Sequence, residues 1–231
     1  MFNGSDLSAL VYCKVRRPIM ATVSPSFETV PGRHGEVFKT VTRSGYDLPV
    51  EIWLRTEDRR EVAEVRHRLA ELLWTDEPAP LYLPDDPTRY LMAIVSGDTD
   101  LDEITDDCPT TTLTFRIGDP DYYGQARRLD AKAGNVSFAV GGTRPTFLRI
   151  TAKPGAVSSF KVTNTDTAEH VEVKKAMTAS SVLRIDMETE RATVNQQTAP
   201  VTIDSDFFEV SGRAHLALTA AATIEWVERW L

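Results

Sequence analysis

No run of about 18 apolar residues occurs anywhere in the sequence, which excludes a membrane-spanning helix. The opening stretch MFNGSDLSALVYCKVRR places its charges after a short, broken apolar segment, so it does not read as a signal peptide. Synthesis in a cytosol is the expectation. There are two cysteines, Cys13 and Cys108, too few and too far apart for a disulfide scaffold. With no CxxC and no Cys/His cluster, a structural zinc site is not indicated. Both thiols are expected to be free and at least half-buried. Basic runs are missing as well. Arg16–Arg17, Arg59–Arg60, Arg127–Arg128 and Lys174–Lys175 are doublets in a chain of net charge −8. Binding to a phosphate backbone needs more clustered cation than that.

Catalytic signatures are equally sparse. The four histidines, His34, His67, His170 and His215, are scattered, and no GxSxG, HExxH or P-loop occurs. The acidic stretch GDTDLDEITDDC has Asp98, Asp100 and Asp102 at the spacing of a calcium loop. Its sixth residue is Glu103 where a glycine is needed, and its twelfth is Pro109 where a bidentate Glu is needed. The residues therefore indicate no enzyme, no cofactor and no metal site.

What the chain does contain is β patterning. ALVYCKV, GEVFKTVTR, DLPVEIWLR, PLYLP, RYLMAIVSG and PTTTLTFRI read as strands, with Val50, Ile52 and Leu54 on one face and Leu113, Phe115 and Ile117 on another. PDDPT reads as the turn between the fourth and fifth. One helix is expected over EDRREVAEVRHRLAELLW, capped by Thr56. Glu57 and Asp58 lie in its first turn, Glu64 pairs with Arg68, and Val62, Val65, Leu69, Leu72 and Leu73 form its apolar stripe. TDEPAP ends it.

After Gln125 the helical period does not return. NVSFAV, TFLRITA, SSFKVTN, HVEVKKA, SVLRIDM, RATVN, DFFEV, HLALTA and TIEWVERWL are short strands separated by turns at the spacing of a β-sandwich. The aromatic residues Phe138, Phe147, Phe160, Phe207, Phe208, Trp226 and Trp230 are expected to be mostly core. The change of pattern divides the chain into domains 1–125 and 126–231. GDPDYYGQ lies at the division. Its Asp119 and Asp121 could be paired carboxylates, but Asp-Pro and Gly are turn chemistry. The better reading is an interdomain hinge of Asp119, Pro120, Tyr122, Tyr123 and Gly124, with the tyrosines anchoring the chain exit.

Read in order, FNGSDLS, VRRPIMATVSPSFETVPGRHGEVF, LPVEIWLR, YLMAIVSG, TTLTFRIGDPDYYG, VLRIDMETERATVN and DSDFFEVSGRAHLALTAAATIEWVERWL resemble the distal tail proteins of bacteriophages with long, non-contractile tails. The resemblance runs along nearly the whole chain and rests on the order and spacing of short motifs. It implies a mainly β fold of two domains, an N-terminal β-sandwich with one packed helix and a C-terminal galectin-like, carbohydrate-module-like β-sandwich. It implies a structural adaptor in the virion, assembled in the host cytoplasm. Six copies would form a ring joining the tail tube to a hub, lysin or fibre protein, with receptor-binding proteins as further partners and DNA passing through the bore.

PGRHGE marks a tight turn between two extended arms, 26–30 and 36–41. An arm lying across a neighbouring subunit would present Phe27, Val30, Arg33, His34, Val37 and Phe38; an ordinary hairpin within the subunit is the simpler alternative. The competing reading of the whole chain is a monomeric carbohydrate- or cell-wall-binding module.

Overall fold

The computed structural model describes residues 1–102 and 109–231. Glu103 and Cys108, which figure in the readings above, lie outside the described residues. The chain forms two compact units, Met1–Tyr122 and Tyr123–Leu231, and the fold is mainly β.

In the first unit, β1 (Val11–Val15), β2 (Val23–Thr29), β3 (Glu36–Arg43) and β4 (Tyr46–Leu54) precede the helix α1 (Arg59–Leu73). After it come β5 (Ala79–Leu83), β6 (Asp86–Ser96) and β7 (Thr110–Ile117). One antiparallel sheet has the order β1-β4-β7-β6, with β5 on β6. Alternation along β4 buries Leu48, Val50, Ile52 and Leu54, and along β7 it buries Leu113, Phe115 and Ile117. Val62, Val65 and Leu69 of α1 pack on that face, together with Phe2, Leu81 and Leu91.

The helix starts later than the sequence suggests. Asp58, not Thr56, is the N-cap, because its carboxylate accepts from the Arg60 and Glu61 N–H groups at 2.8 and 2.9 Å. Glu61 accepts from the Glu57 N–H at 2.6 Å, one residue before the N-cap, and so ties the entering chain to the first turn. Glu57 and Asp58 are thus outside the first turn. Arg68 pairs with Glu71 at 2.7 Å rather than with Glu64. The fifth strand of the sequence reading also begins earlier, since β6 takes in Asp86, Pro87 and Thr88 of the expected turn.

The second unit holds β8 (Tyr122–Ala131), β9 (Gly134–Ala139), β10 (Thr146–Phe147), β11 (Arg149–Ala152), β12 (Phe160–Asn164) and β13 (His170–Val173). β14 (Leu183–Asp186), β15 (Arg191–Val194), β16 (Gln197–Thr198), β17 (Glu209–Val210), β18 (Arg213–Leu218) and β19 (Ala222–Trp230) follow. A four-stranded sheet, β13-β12-β18-β9, faces the series β8-β19-β11-β14-β15-β16. Their inward residues, among them Phe138, Phe160, Leu148, Ile185, Leu216, Ile224 and Trp226, make one core. The Trp226 indole N–H donates to the Val140 carbonyl at 2.7 Å, which satisfies the one polar atom this side chain brings inside. β8 is a strand that the sequence reading left out.

Candidate functional site: an exposed ribbon and the clamp at its base

β2 and β3 pair with each other and, among the described residues, form no ladder with any other strand. Every residue of the two strands is at least partly exposed. Pro31 and Gly32 make the turn, with Gly32 and Gly35 at φ +80° and +81°, where a Cβ is strained. The Arg33 N–H closes the turn on the Val30 carbonyl at 3.1 Å.

The ribbon has two unlike faces. Residues opposite each other in an antiparallel pair point to the same side. Pro25 faces Val41, and Phe27 faces Phe38. The two phenylalanine rings meet edge to face at 5.7 Å, and both are more than half exposed, at 51% and 56%. The other face carries Ser24, Ser26, Thr40 and Thr42, and Glu28 bonded to Lys39 at 2.9 Å. Lys39 is the extra residue where the register shifts beside Ser26–Phe27, a β-bulge.

The six residues expected for a contact arm therefore lie on one element. Phe27, Phe38 and Val37 are on the strands, and Val30, Arg33 and His34 are in the turn. Val37 is half-buried and the other five are exposed. Sequence reasoning did not single out Ile19 and Met20, exposed just before β2, while Val41, within the expected arm 36–41, is exposed opposite Pro25 on the face of Phe27 and Phe38. The Ile19–Met20 pair between Pro18 and Ala21 was the available signal.

Two arginines hold the base of the ribbon. Arg17, before β2, pairs with Asp85 and reaches the Tyr122 hydroxyl at 3.4 Å. Arg43, at the end of β3, pairs with Asp121, which is 4% exposed. The Ser44 N–H closes the base on the Thr22 carbonyl at 3.1 Å. Burial, with Tyr122 beside it, pushes the Tyr46 phenol well above the usual tyrosine range.

The stretch read as a hinge thus contributes to this clamp. Asp119 accepts from the Asp121 N–H at 3.1 Å, so both carboxylates of the candidate pair have structural partners. Tyr122 packs partly on the first unit's core. In the second unit the Arg229 guanidinium lies 5.2 Å over the Tyr123 ring. A Cβ on Gly124 would meet the Trp230 Nε1 at 2.9 Å. Tyr122 to Gly124 already belong to β8, so extended backbone stands where a turn was expected.

Elsewhere the site chemistry is modest. Cys13 is exposed, against the expectation that it is at least half-buried, and it sits on the edge strand β1. His215 contacts Asp166 at 3.0 Å and His170 contacts Asp204 at 3.4 Å, both between the β13-β12-β18-β9 sheet and its loops. Among the described residues no three His, Cys, Asp or Glu side chains gather as metal ligands. No helix is long and apolar enough to cross a membrane. A cleft of about 730 Å³ beside α1 is floored by Ile52, Leu54 and Leu113 and walled by Leu69, Leu73 and Trp74. Phe138, Phe160, Phe208 and Trp226 are buried in the second unit's core.

Comparison with known proteins gives two family matches. Residues 2–117 match the phage tail protein RIFT-related domain, and residues 141–230 match the C-terminal domain of siphovirus-type tail components. Among solved structures, the chain is similar to the Dit protein of phage SPP1, described as a paradigm of the hub adsorption apparatus in phages infecting Gram-positive bacteria. The TM-score is 0.85 at 19% identity, covering 100% of this chain and 98% of that one. It is also similar to a chain of the phage P2 baseplate in its activated, calcium-containing conformation. There the TM-score is 0.56 at 10% identity, covering 94% of this chain and 90% of that one. A comparison with curated proteins found no match. The first family match spans half of the chain and the second most of the rest, so the chain belongs to the siphovirus-type phage tail components, the family of the distal tail proteins.

Proposed function

We propose that this protein is the ring-forming adaptor of a phage tail tip. Six copies form a closed ring in the virion, assembled in the host cytoplasm. The ring joins the tail tube protein on one side to a hub, lysin or fibre protein on the other, and its second domains offer a site for receptor-binding proteins. Domains 1–125 and 126–231 divide this work, the first closing the ring. The stretch Asp119 to Gly124 serves as the hinge between them. The net charge of −8 suits a bore that passes DNA without holding it, because like charges repel.

The observation that carries the reading is the ribbon. An isolated two-stranded hairpin is marginal in water, and the described residues of its own unit leave the apolar face of this one exposed. A covering surface on a neighbouring copy resolves both facts. Replacing Phe27 and Phe38 with serine tests it. Side chains exposed in the free chain contribute little to its folding, so the unfolding free energy should change by no more than about 0.5 kcal/mol each. Rings visible by negative-stain microscopy should disappear. Intact rings from the double variant would contradict the arm. A wild-type chain that instead stays monomeric and is retained by host glycans would favour the carbohydrate-binding module.

A further inference from the structure

Charge is shared unequally between the two units. Residues 1–122 hold thirteen Lys and Arg against twenty-two Asp and Glu, while residues 123–231 hold thirteen against twelve. The acid excess of the chain therefore belongs to the first unit, and the second is close to neutral.

Topology sorts the charges of the second unit. Loops 132–133, 153–159, 174–182, 195–196 and 219–221 all emerge at one end of the sandwich, where Gly134 pairs with Leu218, Phe160 with Val173, Leu183 with Val194, and Ala152 with both Leu183 and Ala222. These five loops contain Lys132, Lys153, Lys174 and Lys175 and no Asp or Glu. The loops of the opposite end are acidic, and their acids have partners within the unit. Asp166 contacts His215 at 3.0 Å, Asp204 contacts His170 at 3.4 Å, and Glu188 contacts Arg149 at 3.9 Å. Among the described residues none of the four lysines forms an ion pair. Lys132, Lys153 and Lys174 are exposed and Lys175 is half-buried.

Hydrogen bonds brace this end. The Met177 N–H donates to the Val157 carbonyl at 2.8 Å, and the Asn195 N–H donates to the Val182 carbonyl at 2.9 Å. The Val182 N–H returns a bond to the Asn195 side chain at 2.9 Å, and the Thr178 N–H donates to the Ser181 hydroxyl at 2.9 Å. The lysines therefore project from a fixed frame.

The make-up of the end narrows what it can hold. The five loops have no aromatic residue, so a sugar ring or a base finds nothing to stack on. They have no Arg either, whereas protein interfaces favour Arg and aromatics and are poor in Lys. Lysine is a point charge suited to phosphate. The four are also spread out. Lys174 follows β13 and Lys132 precedes β9, the two edges of a four-stranded sheet, three strand spacings or about 15 Å apart. That exceeds the screening length of about 8 Å at physiological salt. A small anion would sense part of the set, and a polymer would sense all of it.

We infer that the lysine end of the second unit binds a flexible phosphodiester polymer without bases, of the kind built from phosphate and small polyols. In the sequence Lys174–Lys175 is only a doublet; the fold adds Lys132 and Lys153 to it. One unit carries the whole surface, so the inference stands apart from the ring reading. A ring would multiply a weak contact by presenting several such ends to one polymer.

A fluorescently labelled glycerol-phosphate oligomer, titrated with the full chain and followed by anisotropy, tests it. With four contacts engaged, affinity should fall about 50-fold between roughly 50 and 200 mM salt. The triple variant Lys153→Gln, Lys174→Gln, Lys175→Gln should weaken binding at low salt more than about tenfold and flatten the salt dependence toward that of one contact. The same charge change on α1, Arg59→Gln, Arg60→Gln, Arg66→Gln, should leave affinity within about twofold, because those charges act only through screened solvent. Thermal unfolding confirms that both variants are folded. Equal losses in the two variants mean that net charge alone is acting, which overturns the site, as does a wild-type chain that does not bind at low salt. Tighter binding of oligothymidylate or polyglutamate of equal charge overturns the polymer class, in favour of a nucleic acid or an acidic protein. A chain that is monomeric at every concentration and still shows the lysine-dependent salt slope upholds the inference while contradicting the ring.

Discussion

Gly124 shows how a single position can be restricted by packing alone. Its backbone lies against the Trp230 indole and the Glu228 side chain, so a methyl group there would be 2.9 Å from Nε1. Glu228 is held by Arg127 at 2.8 Å and cannot yield freely. Gly124→Ala should therefore destabilise the second unit by about 1–3 kcal/mol, the usual cost of overpacking, read from the shift of its denaturant midpoint. Asp121 presents the opposite case, a charge held where water is excluded. Asp121→Ala leaves the Arg43 guanidinium without its carboxylate and should cost about 3 kcal/mol, as breaking a buried pair does. Adding Arg43→Met should recover much of that loss, and a double-mutant cycle on the unfolding free energies reads the coupling. Neither role was visible in GDPDYYGQ itself, because the partners lie at residues 43, 228 and 230 and pairing across the fold leaves no local trace.

Elements with a strong period were the most legible. β4 and β7 bury the faces that their alternation assigns, and α1 buries Val62, Val65 and Leu69. Its start was misread because Thr56 and Asp58 are both capping residues. Asp58 prevails because its carboxylate accepts from the Arg60 and Glu61 N–H groups. Asp58→Ala should lower the stability of the first unit by about 1 kcal/mol, whereas Thr56→Ala should cost less; thermal unfolding of both variants checks the order. β8 escaped notice for a physical reason. Its run from Gln125 to Arg128 is exposed throughout, so it carries no apolar alternation, and hydrogen bonding to β19 holds it rather than burial. The ribbon shows the limit of pattern reading in another way. GEVFKTVTR alternates as a half-buried strand does, but the bulge at Lys39 breaks the alternation and puts Phe38 and Val41 on one face with Val37 on the other, and the described residues of its own unit leave that face exposed.

For the whole molecule, the mainly β, two-domain architecture was readable because one half carries a helical period and the other does not. The family resemblance was readable because motif order survives where individual motifs have drifted, as 19% identity beside a TM-score of 0.85 illustrates. The assembly was not readable in the same sense. A closed ring is a property of two surfaces meeting, and the sequence displays each surface only as exposed residues. The account therefore depends most directly on mass in solution, measured by light scattering after size exclusion across a concentration series. It predicts a hexamer of the 25.7 kDa chain, about 154 kDa, with the mass falling on dilution and in the Phe27→Ser, Phe38→Ser variant. A mass of 25.7 kDa at every concentration would contradict it.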